Sequence, residues 1–149
     1  MEKLNIAIAS DHAGFELKQQ IKKYLENKGV RLNDFGANST ESCDYPDYAK
    51  AVAKEVAGKK ADYGILICGT GIGMSMAANK IKGIRAAVVH NEFTAKAAKE
   101  HNNANILCFG SRIVSKQEAE KIVDAFFETK FAGETKEGER HKKRVEKIE

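Results

Sequence analysis

The sequence predicts an α/β protein, a three-layer α/β/α sandwich around five parallel strands. Two observations carry that expectation. Short apolar runs alternate along the chain with amphipathic stretches of helical period, and the runs are apolar on both faces, as in a sheet covered on both sides. Residues capable of chemistry also fall just after those runs, at the carboxyl ends of strands, where an open parallel sheet places its ligand.

Leu4-Asn5-Ile6-Ala7-Ile8-Ala9 reads as the first strand and ends at Ser10-Asp11-His12-Ala13-Gly14. The next helix sets Leu17, Ile21, Tyr24 and Leu25 on one face and Glu16, Lys18, Lys22, Lys23 and Glu26 on the other, with Gly29 at its C-cap. Val30 to Phe35 is a weaker strand, and Gly36 to Cys43 a polar loop. Pro46 suits the first turn of a helix over about Asp47 to Ala57. Tyr63-Gly64-Ile65-Leu66-Ile67 is the most strand-like run of all. It leads through Cys68-Gly69-Thr70-Gly71-Ile72-Gly73-Met74-Ser75 into a helix from Met76 to Lys80. Ile84 to Val89 is a fourth strand, Glu92 to Glu100 an alanine-rich helix, and Asn105 to Phe109 a fifth strand closed by Gly110. Ser115-Lys116-Gln117-Glu118 is a capping box, and the helix it opens turns Ala119, Ile122, Val123, Phe126 and Phe127 inward. The tail from about Gly133 is highly charged, with a short helix near His141 to Ile148. No composition break or internal repeat divides residues 1–149, so one domain with a Rossmann-like sheet is expected.

The chain of 149 residues is 42% hydrophobic and 31% charged, which suits a folded globular domain. Its net charge of +4 is spread over alternating Lys and Glu, the pattern of solvated helix surfaces. No basic segment interleaved with aromatics points to nucleic acid. No apolar run approaches the ~20 residues of a membrane span, and the first strand begins at once, without a signal-peptide pattern. Cys43, Cys68 and Cys108 are too widely spaced for a zinc ligand set and are odd in number, so a reduced, cytoplasmic setting is expected.

The glycine-rich stretch after Cys68 is the most informative motif. Glycines let N–H groups turn toward an anion, and a helix N-terminus adds partial positive charge. The same field favours a thiolate at Cys68, although a cysteine ending a strand can equally be a small buried hydrophobe. Gly69, Gly71 and Gly73 do not have the dinucleotide spacing, and the loop lacks the Gly-Lys-Ser/Thr ending of a P-loop. Position 74 is Met, where a cysteine phosphatase needs arginine. Cys108 reads as core, and Cys43 as a loop residue without an evident partner. Asp11-His12, His90-Asn91 and Ser111-Arg112 fall at the same strand ends as Cys68. His101-Asn102 closes a helix, where a histidine complements the dipole. Arg140 and Arg144 share a helical face, as a solvated basic tail or as a two-armed clamp for phosphate.

Taken together, Asp11-His12-Ala13-Gly14, Asp44-Tyr45-Pro46, Cys68 to Gly73, Ala77-Ala78-Asn79-Lys80, His101-Asn102, Phe109-Gly110-Ser111-Arg112 and Arg140-His141 with Arg144 resemble the type B ribose-5-phosphate isomerases. That family also holds galactose-6-phosphate isomerase subunits and allose-6-phosphate isomerases. The resemblance runs nearly the full chain, with the motifs in order. It implies reversible interconversion of D-ribose 5-phosphate and D-ribulose 5-phosphate through a cis-enediolate, a step of the pentose phosphate pathway. It implies no metal, no cofactor, and a homodimer or tetramer with active sites at the subunit interface. Cys68 matches the catalytic base, Thr70 stands at the reacting end, and His101 matches the group that helps open the furanose ring. Gly69, Gly71, Ile72 and Gly73 match the anion hole. Asp11, Tyr45, Asn102 and Arg112 match sugar or phosphate contacts, and His12, Arg140 and Arg144 the phosphate end. His101, Asn102 and Arg112 are expected from the partner subunit. One branch of the family uses a carboxylate at the position of Met74, which leaves the base to Cys68 here. Glu134 to Gly138 looks like extra tail. A six-carbon sugar phosphate as substrate, or a non-catalytic phosphosugar-binding module, are the alternative readings.

Overall fold

The computed structural model describes residues 3–149 of the chain. Among them five strands, β1 (Asn5–Ser10), β2 (Arg31–Asp34), β3 (Tyr63–Cys68), β4 (Ala86–Val88) and β5 (Ile106–Gly110), form one parallel sheet in the order β2-β1-β3-β5-β4. The chain runs from β1 outward to β2 and then returns across β1 to β3. The strand order therefore reverses at β1 and β3, and a crevice opens between their carboxyl ends.

The helices are α1 (Phe15–Glu26), α2 (Tyr45–Ala57), α3 (Ile72–Ala78), α4 (Glu92–Glu100), α5 (Lys116–Glu128) and α6 (Glu139–Glu146), with a 3-10 turn at Ala132–Glu134. Strand side chains alternate between two cores. Ile6, Ile8, Ile65, Ile67, Leu107 and Phe109 pack toward α1, α4 and α5. Ala7, Ala9, Leu66, Cys68, Ile106 and Cys108 pack toward α2 and α3. The three-layer sandwich expected from the sequence is the fold observed.

Several boundaries differ, each for a local reason. Helix α3 begins at Ile72, four residues earlier than expected, because Gly71 turns the chain at φ +83° and lets the helix start at once. Ile72 to Ser75 are therefore helical and not loop. Helix α2 begins at Tyr45, with Pro46 in its first turn. β4 is only three residues long: Asn105 and Asn79 side chains take the N–H groups of Arg85 and Ala86 and turn the chain before the strand. The His90-Asn91 pair is structural. Asn91 caps α4 by accepting the Thr94 N–H at 2.8 Å, and His90 donates its N–H to Thr94 Oγ1. Helix α6 spans Glu139–Glu146, two residues ahead of its expected place.

Candidate active site

Cys68 ends β3 on the crevice side of the sheet and is 5% exposed. Its Sγ accepts the Gly71 N–H at 3.1 Å, a contact that suits a negative sulfur. The turn is tight: a Cβ on Gly71 would lie 2.9 Å from the Phe109 backbone. Thr70 Oγ1 accepts the Ile72 N–H at 3.2 Å. The next two amides, of Gly73 and Met74, belong to the first helical turn, which has no i−4 carbonyl to receive them. Met74 itself is fully buried in the core.

The end of β5 closes over this loop. Ser111 donates its N–H to the Cys68 carbonyl at 2.9 Å, and Arg112 donates its own to Gly69 at 3.0 Å. A Cβ on Gly69 would fall 3.0 Å from Arg112 Nη1, so the guanidinium lies directly on the loop of its own chain. Arg112 was expected from a partner subunit; this placement corrects that expectation, since the backbone bond to Gly69 fixes Arg112 beside Cys68. The Tyr45 ring packs on Gly73 in the same close way.

The end of β1 supplies the other wall. Asp11 is buried, donates its N–H to the Ile67 carbonyl at 3.2 Å and accepts the Gly14 N–H through Oδ1 at 3.0 Å. Ser111 Oγ donates to the Ala13 carbonyl at 2.8 Å and so ties the two strand ends together. His12 Nδ1 accepts the Cys43 N–H at 3.3 Å, so Cys43 does have a partner, contrary to the sequence expectation. The structure thus brings Asp11, His12, Tyr45, Cys68, Gly69, Thr70, Gly71, Ile72, Gly73 and Arg112 to one end of the sheet.

His101, Asn102, Arg140 and Arg144 lie elsewhere. Helix α4 leaves the carboxyl edge of the sheet and runs back for nine residues, about 14 Å. His101, its C-cap, therefore lies at the amino edge, where the Arg85 side chain donates to the Asn103 carbonyl just ahead of β5. The His101 ring stacks on His141 of α6, with centroids 4.6 Å apart and planes 17° from parallel. Burial, then Arg140, His101 and Arg144, push His141 below the usual histidine range. Arg140 and Arg144 stand one helical turn apart on the same short helix. Asn102 lines a cavity of about 500 Å³ with Asn79, Arg85 and Ile148. The two groups of residues are separated by the height of the sheet.

A thiol and a glycine turn at the switch point of a doubly covered parallel sheet define an α/β enzyme acting on a small anionic molecule. The family model described as Ribose/Galactose Isomerase matches residues 6–148, and the chain belongs to that family. It is 48% identical over 143 residues to ribose-5-phosphate isomerase B of Escherichia coli strain K12, across 96% of this chain and 93% of that protein. The crystal structure of a ribose 5-phosphate isomerase from Thermotoga maritima superimposes with a TM-score of 0.92 at 49% identity, covering 98% of this chain and 97% of that one. Ribose-5-phosphate isomerase B of Mycoplasma genitalium, solved with bound ribulose-5-phosphate, gives a TM-score of 0.91 at 47% identity, covering 99% and 95%.

Proposed function

We propose that this protein interconverts D-ribose 5-phosphate and D-ribulose 5-phosphate, with Cys68 as the base that moves a proton between C2 and C1. The chemistry is an aldose–ketose isomerisation within a family of isomerases. The thiolate takes the C2 proton of the open-chain aldose, and the C–H electron pair forms the C1–C2 double bond of a cis-enediolate as the carbonyl pair moves onto O1. The O2 proton passes to O1, and the thiol returns its proton to C1 as O2 becomes the ketose carbonyl. Gly71 spends its N–H on the sulfur and Ile72 on Thr70, so the amides of Gly73 and Met74 remain to stabilise the enediolate oxygen. Thr70, its hydroxyl beside that oxygen, holds the reacting end. Asp11, Tyr45 and Arg112 bind the sugar, and His12 faces the phosphate.

The remaining groups come from a second copy. His101 lies at the amino edge and cannot reach Cys68 of its own chain, yet the reading gives it furanose ring opening, Asn102 a sugar contact, and Arg140 and Arg144 the phosphate. Ile72 and Met76, 45% and 64% exposed on the outer face of α3, give a second copy an apolar surface to bury beside the thiol. Residues 1–149 then act as a single catalytic domain, with the charged tail from about residue 133 reaching the neighbouring site. Three free thiols suit a reducing, cytoplasmic setting, and no helix among the described residues is long and apolar enough to cross a membrane.

The observation that carries the proposal is the Cys68 sulfur held by a loop amide at the switch point. The test is exchange of the C2 proton of ribose 5-phosphate with solvent, in the presence of EDTA. Wild-type protein should exchange it, and Cys68→Ala should lose exchange by several orders of magnitude while its circular dichroism stays native. Undiminished exchange in that variant removes Cys68 from the role of base.

A further inference from the structure

Lys18 lies on α1 with its side chain wholly buried, and it takes no part in the mechanism above. Burying an ammonium is costly, and an apolar side chain of similar volume is often as good for stability or better. The hydrogen bonds show what the charge holds. Lys18 Nζ donates to Asp34 Oδ1 at 2.8 Å and to the Ala37 carbonyl at 2.5 Å. Asp34 Oδ1 also accepts the Gly36 N–H at 2.8 Å. The Gly36 carbonyl accepts the Ser10 N–H at 2.7 Å, and the Ser10 carbonyl accepts the Ala37 N–H at 2.6 Å. These bonds close a ring that runs Lys18, Asp34, Gly36, Ser10, Ala37 and back to Lys18.

The ring sits at one edge of the sheet. β2 is an edge strand, so the loop that follows it meets the sheet through β1 alone. That loop ends at Cys43, whose N–H points at His12 Nδ1. The amide N–H needs the Nδ1 lone pair, so a neutral His12 carries its proton on Nε2. Cys43 Sγ, 3.9 Å from the same nitrogen, favours the other tautomer only where it accepts, and the amide contact is the closer of the two. The same ring fastens Ser10, the residue just before Asp11.

We propose that Lys18 is a positioning residue for the phosphate end of the site: by fastening residues 34–37 to Ser10 it holds the Cys43 amide on His12 and keeps that imidazole in its Nε2–H form. The inference rests on the reading of His12 as a phosphate contact. Lys22 pairs with Asp34 through the other carboxylate oxygen at 2.9 Å, so removing Lys18 leaves the carboxylate with a cation. Lys18→Met therefore cuts the ring without stranding a charge.

The test combines ¹⁵N imidazole NMR of His12, assigned with His12→Asn, and steady-state kinetics on ribose 5-phosphate. In Lys18→Met the His12 signal should move from the Nε2–H form to a mixture of tautomers, and KM should rise about tenfold with kcat within about threefold. A lower melting temperature with an unaltered tautomer and unaltered KM overturns the proposal, because Lys18 would then serve stability alone. A fall in kcat at constant KM overturns it as well. Should Lys18→Met fail to fold, Lys18→Gln carries the same two readouts, its shorter amide reaching one of the two acceptors. If the wild-type protein shows no isomerase activity the functional reading falls, and the tautomer of His12 still decides the role of Lys18.

Discussion

Cys68 and Cys108 stand on neighbouring strands and face the same helices, yet their surroundings assign them different work. Cys108 lies mid-strand, and burial, with the nearby Cys68 adding to it, pushes its thiol far up. It stays a packed hydrophobe. Cys68 reaches the strand end, where the Gly71 amide meets its sulfur. The imidazoles make a similar contrast. His141 is held below its ordinary 6.5 by burial first and then by Arg140, His101 and Arg144, with Glu100 opposing. A histidine with a lowered folded pKa favours the neutral ring. The stack with His101 is therefore fully present above about pH 6.5 and weakens as pH falls through the lower folded value. His101→Asn should slow turnover of ribose 5-phosphate far more than turnover of ribulose 5-phosphate, which has no furanose ring to open. Initial rates in both directions measure this, and equal losses would remove His101 from ring opening.

Among the elements, helix α5 was the most legible, because its start is written within four residues. Ser115 Oγ accepts the Glu118 N–H at 3.1 Å, and Glu118 returns the bond to the Ser115 N–H at 3.1 Å. Ser115→Ala should cost about 1 kcal/mol, read as a lower urea midpoint at unchanged m-value. The bonds from Ser115 hold the Glu118 carboxyl below its usual 4.5, despite some opposing burial. Its contribution is complete above that value and is lost as pH falls through the lower folded one, so Glu118→Gln, which removes the titrating carboxyl, should lose less stability on acidification than wild type. Cys68, the glycine turn, Asp11-His12 and Ser111-Arg112 were legible for the same reason, each being a local motif at a strand end. Contacts between distant segments were not. Lys18 has the spacing of a solvated helix position, and its acceptors lie 16 and 19 residues away. His12 and Cys43 meet across 31 residues, and no periodicity encodes that pairing. The place of Arg112 went astray likewise, because the turn after β5 that lays it on Gly69 is set by backbone bonds between two strands.

On the scale of the whole molecule, the decisive feature is the height of the sheet between Cys68 and His101. A site that needs both must draw them from two chains, and mutant mixing tests that directly. Cys68→Ala and His101→Asn should each be nearly inactive on ribose 5-phosphate. Equal amounts unfolded and refolded together should recover about a quarter of wild-type activity, since half the dimers are mixed and each carries one intact site. No recovery, with mixed dimers demonstrated by mass, would place both residues in the same chain's site.

The stacked histidines and paired arginines at the amino edge have a consequence for how much enzyme a solution contains. If they serve the neighbour's thiol, a lone chain holds every residue it needs and no working site. Activity per milligram would then depend on concentration, falling on dilution below the dissociation constant of the dimer and returning when the sample is concentrated. Substrate, by bridging the two chains, would draw them together, so a sample diluted with ribose 5-phosphate present should outlast one diluted without it.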